Sequence, residues 1–408
     1  MGIFNINGLT YLDGGTGTNL EAAGLPNGVC VEKWIADNPA AMETLQKRYI
    51  EAGSQIIYAP TFGLNYGIFS KYGKEEEIPE YVSKLVALSR RVADGKALVA
   101  GDMSPTGKLA RPYGDYSLSK ISSLYEAQAE ALSKSDVDLF VLETLSSLGE
   151  AVAAFDTVRM FSDKEIIVTF TVEKNGRTLA GDTPLSCLLT MQARGASAFG
   201  FNCGYGFDGL ADIISEISPY SQIPIIVKPN AGLPVTVDGK QTYSLSAELF
   251  GESCKELVEA GASVLGGCCG TTPDHIASLV RSTSDIKLSV RNKKYRRYAV
   301  TPREVFEITA DMRVSETFPC DSTLMFNMPE KDEADIFSVF ADENSDFDSL
   351  TDVSLYLEQP LMLDASSVEI LEKALRAFPG VCLFNGKSSL PSEDVEKLCK
   401  RYGMSVFG

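Results

Sequence analysis

From residue 1 to about 285, apolar and polar positions repeat one unit. A short apolar run stops at a polar or small residue, and a longer segment with helical spacing of its apolar side chains follows. Eight units occur, and their apolar runs predict strands at Thr10–Asp13, Gln55–Ala59, Ala97–Asp102, Leu139–Glu143, Ile166–Thr171, Ala198–Asn202, Ile225–Lys228 and Val264–Gly266. The segments between and after them predict helices at Ala40–Ala52, Glu77–Ala93, Leu124–Ser133, Gly149–Phe161, Leu185–Arg194, Gly209–Ile217, Ala247–Ala260 and Pro273–Ser282. Such an alternation predicts an α/β fold, a (β/α)8 TIM barrel, whose catalytic groups come from the carboxyl ends of its strands. An open doubly wound sheet is the competing architecture, but no G-x-G-x-x-G follows the first strand.

Beyond residue 300 the pattern changes. Pro360–Asp364 reads as a strand, Ser366–Phe378 as a helix and Val381–Asn385 as another strand, which implies a second, smaller α/β unit. The acidic stretch Pro329–Ser349 reads as a separator between two apolar segments. The expected division is a barrel over 1–290, a basic linker over 291–300 and a small acidic α/β domain over 301–408.

The strand ends test the barrel. Asp13, Asp102 and Glu143 end the first, third and fourth predicted strands. Asn202 and Cys203 close the sixth, Lys228 and Asn230 lie at the seventh, and Cys268 with Cys269 follow the eighth. One such carboxylate caps the next helix as readily as it serves a site, but capping does not explain a whole ring of reactive side chains.

Composition narrows the partners. The formal charge of −18 opposes a phosphate-neutralising surface, so nucleic acid is excluded as a partner class. Residues 301–408 hold 21 acidic and 9 basic side chains, so −12 of that charge lies there. The basic run Arg291–Tyr298 reads as a solvated linker, with docking of an acidic partner as the alternative. No apolar stretch reaches the length of a membrane span and the first residues lack the regions of a signal peptide, so a cytoplasmic protein is expected. Nine scattered cysteines do not form a secreted disulfide framework; free thiols and metal ligands are expected instead.

Three cysteines stand out: Cys203 in Gly-Phe-Asn-Cys-Gly, and Cys268 and Cys269 in Gly-Gly-Cys-Cys-Gly. Neighbouring residues on a strand point to opposite faces, so the pair meets one ion only if the chain turns. Gly266, Gly267 and Gly270 are expected to supply strained or left-handed conformations there. Three small buried hydrophobes are the alternative, which suffices for Cys187 and Cys382. Zn2+ suits an all-sulfur site, and with three protein ligands it keeps a position open. His275, the only histidine, lies at the start of the eighth helix and is not expected to close the set. Three thiolates on a divalent cation make a poor Lewis acid toward water but ionise an incoming thiol, which points to alkyl transfer onto a substrate sulfur.

The barrel resembles the zinc-dependent homocysteine S-methyltransferase family, including the amino-terminal module of cobalamin-dependent methionine synthases. The likeness runs in order through Leu12-Asp-Gly-Gly-Thr-Gly-Thr, Thr61-Phe-Gly-Leu-Asn, Gly101-Asp-Met-Ser-Pro-Thr-Gly-Lys, Leu142-Glu-Thr, Asn175-Gly-Arg-Thr-Leu, Gly200-Phe-Asn-Cys, Lys228-Pro-Asn-Ala-Gly and Gly266-Gly-Cys-Cys-Gly-Thr-Thr-Pro-Asp-His. It implies that Cys203, Cys268 and Cys269 bind zinc, that homocysteine sulfur takes the fourth place, that Asp13, Gly14 and Gly15 meet the polar end of the substrate, and that Glu143 meets its ammonium. Leu361-Met-Leu-Asp-Ala-Ser-Ser and Ala377-Phe-Pro-Gly-Val-Cys-Leu-Phe-Asn-Gly-Lys resemble part of a folate-binding barrel, with Asp364 and Asn385 echoing pterin contacts. The unit is too short to enclose a pterin, so a remnant used for docking or stability is expected.

The donor stays open. A separate methyl-corrinoid protein or methyl-folate system is the first reading, S-methylmethionine or a betaine-type ammonium the second. Trp34, the only tryptophan, makes no cage for a quaternary ammonium. Methyl transfer to a different thiol, and a non-catalytic zinc-binding assembly subunit, compete with both. Retention of Glu143 and the first-strand glycines favours catalysis.

Overall fold

Eight short parallel strands surround an apolar core in a computed structural model that describes residues 3, 4, 8–204, 206–237, 240–288, 293, 294 and 296–408. They are β1 (Thr10–Tyr11), β2 (Ile56–Ala59), β3 (Leu98–Met103), β4 (Leu139–Leu145), β5 (Ile166–Phe170), β6 (Ala198–Cys203), β7 (Ile225–Pro229) and β8 (Val264–Leu265). Their pairing order is β1-β8-β7-β6-β5-β4-β3-β2, and a parallel bridge between Leu12 and Ile56 closes the ring. This is a (β/α)8 TIM barrel. Leu12, Ile56, Val141, Ile167, Ile226 and Val264 fill its interior, and the opposite strand faces pack on the surrounding helices. Gly17–Ala22 and Val31–Asp37 are helical although the sequence pattern does not predict them; each is too short to show a period.

The second sheet holds β9 (Val314–Pro319), β10 (Ile336–Ala341), β11 (Leu361–Ala365), β12 (Leu383–Asn385) and β13 (Ser405–Phe407), parallel and in consecutive order. Two of its strands match the sequence reading, and β10 corrects it. The acidic stretch expected as a separator contains Ile336-Phe-Ser-Val-Phe-Ala341, buried at every position but Phe340. Asp332, Glu333, Asp335, Asp342 and Glu343 flank this run, and their charge masked a strand of ordinary apolar content.

The sheet is fastened to the outside of the barrel. Thr183 N of the barrel donates to Pro302 O (3.0 Å), and two residues earlier in the same hairpin Val300 exchanges backbone hydrogen bonds of 2.9 Å each with Val381. Arg194, on the Pro184–Ala193 helix boundary, is buried against Asp156 at 2.9 Å and donates to Leu375 O (3.1 Å) and Phe378 O (3.4 Å) at the end of the Val368–Ala377 helix. A cation there suits the carbonyl end of a helix. Of the basic run Arg291–Tyr298, Arg291, Asn292 and Tyr295 lie outside the described residues, as does the 290/291 boundary. Lys293 donates to Ser221 O (2.5 Å), Lys294 to Tyr220 Oη (3.0 Å) and Arg297 to Ser405 Oγ (3.0 Å). These side chains reach the barrel and the second sheet while staying exposed to solvent. Among the described residues no helix is long and apolar enough to cross a membrane.

Candidate active site

At the carboxyl ends of β6 and β8 the three cysteines meet. Cys203 Sγ lies 2.8 Å from Cys268 Sγ and 3.7 Å from Cys269 Sγ, and all three sulfurs fall within 4.8 Å of one another. Cys203 ends β6 with φ of 59°, a strained conformation for a residue with a Cβ, and Gly204 continues the turn at 63°. Beyond β8 the chain is stitched across the barrel mouth: Gly267 N donates to Asp13 O (3.0 Å), Cys268 N to Pro229 O (2.9 Å), and Cys269 O accepts from Ala231 N (3.0 Å). Only Gly270 adopts positive φ, at 78°, so the left-handed role expected of Gly266 and Gly267 is not found. Gly267 instead allows close packing, since a Cβ there would lie 2.4 Å from Thr271 Oγ1.

The sulfurs share their protons unequally. Hydrogen bonds from Cys203 and Cys268 hold the Cys269 thiol down to about 3, helped by the Tyr243 hydroxyl. The same contacts, with burial, push Cys268 well up. His275 points elsewhere, as expected: its Nδ1 lies 2.9 Å from Thr272 Oγ1 in a capping box and its Nε2 3.0 Å from Leu245 O. Cys187 and Cys382 are buried away from the cluster.

Below the sulfurs lies an ionic network built from four strand ends and β2. Lys228 Nζ is 3.3 Å from Asp13 Oδ1, 3.5 Å from Glu143 Oε2 and 3.6 Å from the centre of the Tyr58 ring. Burial opposes the Lys228 charge, but Glu143, Tyr58 and Asp13 outweigh it and hold its pKa well above the ordinary value. Asp13 and Glu143 are raised by burial, with Lys228 opposing the rise. Asp102 is buried beside them and has no cation of its own.

Glu143 is aimed by a break in its strand. The β4–β5 ladder shifts register between Leu142 and Leu145, and Thr144 takes φ of 62°. Asn202 locks that kink: its Oδ1 accepts from Thr144 N (2.9 Å) and Thr169 Oγ1 (2.8 Å), and its Nδ2 donates to Thr144 Oγ1 (2.7 Å) and Cys268 Sγ (3.8 Å). One amide thus ties the carboxylate strand to the sulfur cluster.

A cavity of about 750 Å3 unites these groups; Asp13, Gly14, Gly15, Asp102, Glu143, Lys228, Tyr243 and the three cysteines line it. Every predicted site residue is therefore in one place. Gly15 N donates to Thr271 Oγ1 (2.9 Å). Tyr58, Thr144 and Tyr243 were not singled out from sequence. Tyr58 lies inside an apolar run and Tyr243 in a loop without periodicity, so neither is flagged by position.

The family described as homocysteine S-methyltransferase matches residues 10–283, from β1 to the helix after β8. The chain belongs to the homocysteine S-methyltransferase family. Similar members include the methionine synthase of Mycobacterium tuberculosis, 31% identical over 301 residues, covering 69% of this chain and 25% of that protein. The methionine synthase of Mycobacterium leprae is 30% identical over 290 residues, covering 67% and 24%. The chain thus spans about a quarter of the length of these relatives. The metallated form of the homocysteine methyltransferase MmuM from Escherichia coli shares the fold with a TM-score of 0.59 at 22% identity, covering 67% of this chain and 96% of that one. The family match falls on the part of this homocysteine S-methyltransferase family member that carries the cysteines and the acidic cavity.

Proposed function

We propose that this chain methylates the sulfur of homocysteine to give methionine, using zinc held by Cys203, Cys268 and Cys269. The observation that carries the reading is the convergence of three sulfurs on one wall of a cavity whose floor is lined by carboxylates and a buried lysine. The donor set fits the ion. Tetrahedral zinc with Zn–S of about 2.3 Å spaces its sulfurs about 3.8 Å apart, close to the 3.7 Å between Cys203 and Cys269; the 2.8 Å pair has to open by about 1 Å. When bound, the ion supplies a place where a thiol loses its proton near neutral pH.

The remaining work falls to the chain. Glu143 receives the substrate ammonium, and Lys228 sets the charge of the floor by pairing with Asp13 and Glu143. Asn202 holds the Glu143 strand in register with Cys268. The substrate sulfur then attacks the donor methyl carbon in line; the new S–C bond forms as the donor–methyl bond breaks, and the leaving group keeps that electron pair.

For the donor, the likeness to methionine synthases favours a separate methyl-corrinoid protein or a methyl-folate system over S-methylmethionine or a betaine. The Tyr58 face is occupied by Lys228, which leaves Phe62 and Tyr243 as the other aromatic side chains of the cavity lining. The test is to incubate zinc-loaded protein and homocysteine with each donor, methylcobalamin standing in for the corrinoid protein, and to assay methionine. Methionine with methylcobalamin supports the reading. No methionine with any donor favours a non-catalytic zinc-binding assembly subunit.

A further inference from the structure

Of the five acidic side chains that line the cavity, Asp13, Asp102 and Glu143 form its floor, and Lys228 lies among them. Lys228 serves Asp13 and Glu143, and its remaining side rests on the Tyr58 ring. Asp102 is only 5% exposed, yet its Oδ1 has no hydrogen-bond partner, and Glu143 Oε2 likewise makes no hydrogen bond. Asp102 is nonetheless fixed in place: its carbonyl accepts from Thr61 Oγ1 (2.8 Å) and Gln128 Nε2 (3.1 Å), and its N–H donates to Thr61 Oγ1 (3.0 Å). Burial, then the Glu143 charge, push its carboxyl well above the ordinary carboxylate range, as expected of an acid that lacks a counter-ion. Buried polar atoms are nearly always partnered, so an unpartnered Asp102 Oδ1, beside a Glu143 Oε2 that only Lys228 approaches at 3.5 Å, points to a cation that the ligand brings.

We propose that Asp102 is a specificity-determining residue which, with Glu143, receives the α-ammonium of the thiol substrate, so that the cavity selects amino-acid thiols over thiols lacking that group. An ammonium carries three N–H donors, enough for Asp102 Oδ1 and Glu143 Oε2 together. It also brings the floor from three carboxylates against one cation to three against two. The inference rests on homocysteine as the acceptor.

Asp102→Asn keeps the side-chain shape and removes the charge. Calorimetric titration of zinc-loaded protein with L-homocysteine and with 4-mercaptobutanoate, the same thiol acid without the ammonium, reads the effect. The variant should bind homocysteine about 10- to 100-fold more weakly and 4-mercaptobutanoate within about 2-fold of the parent, with zinc content and melting midpoint retained. A second measurement needs no variant: the unmodified protein should favour homocysteine over 4-mercaptobutanoate by about 10-fold or more. Equal affinity for the two thiols, unchanged homocysteine binding in the variant, or an equal loss for both thiols overturns the proposal. If the unmodified protein binds no homocysteine, the acceptor assignment falls and this inference with it; if it binds homocysteine and Asp102→Asn changes nothing, only the inference falls.

Discussion

The barrel and the sheet beside it are built from the same parallel strand and helix units, yet they finish their strand ends differently. In the barrel, closure through Leu12 and Ile56 brings strand ends from opposite sides to one mouth, where Asp102, Glu143, Tyr58 and Asn230 keep buried side-chain atoms without hydrogen-bond partners. In the second sheet the equivalent ends complete one another: Asn385 Nδ2 donates to Asp364 Oδ2 (3.1 Å), and Asp364 Oδ1 accepts from Ala365 N (2.8 Å). Among the described residues, no buried side-chain polar atom beyond Asn230 lacks a partner. Part of the second sheet's free face is filled by its own chain, as Ala299 and Phe306 of the Tyr298–Val300 and Val305–Glu307 hairpin pack on Ile336, Met362 and Leu383. At the mouth, Tyr58, Asp102 and Glu143 also line the cavity, where a ligand can reach them, whereas the strand ends of the second sheet are already partnered.

The sharpest way to break this contrast is at the sulfurs. Cys268→Ala should abolish zinc retention, measured as metal per protein after dialysis, and lower methyl transfer by about 10³-fold or more, since removal of a metal ligand removes the place where the thiol ionises. Stoichiometric zinc in that variant would refute the ligand assignment. Next in size, Arg194→Ala should destabilise the protein by about 3–5 kcal/mol in urea unfolding, because it leaves Asp156 as an unpaired buried charge and strips two helix-end carbonyls of their donor. A change of less than about 1 kcal/mol would mean that the two sheets are not fastened there.

Glu143→Ala sharpens the division of labour within the cavity. It should keep zinc and raise KM for homocysteine about 10- to 100-fold; zinc loss would tie Glu143 to the metal instead. The smallest effect belongs to the other sheet. Asp364→Ala should leave methyl transfer within about 2-fold and cost about 1 kcal/mol, and a larger fall in activity would give the second sheet a chemical role that its satisfied strand ends do not indicate.

Much of this was legible in sequence because barrel strands punctuate themselves. Each apolar run ends where the pairing ends, give or take a residue or two, so Asp13, Asp102, Glu143, Cys203 and the Cys268–Cys269 pair stand out by position alone. What stayed hidden depends on closure. The stacking of Lys228 on Tyr58 joins β7 to β2 across the ring, and no local pattern reports such a contact. The kink that aims Glu143 needs Asn202 from a strand 58 residues away in sequence to hold Thr144 at positive φ. In the second sheet, β10 was hidden for a different reason: acidic flanks outweighed a six-residue apolar run in a reading by composition.

Zinc K-edge X-ray absorption of the loaded protein, with and without homocysteine, tests the central claim most directly. Three sulfurs at about 2.3 Å with one lighter ligand, becoming four sulfurs when homocysteine is added, is the predicted result. A coordination shell already completed by the protein and unmoved by homocysteine would contradict it.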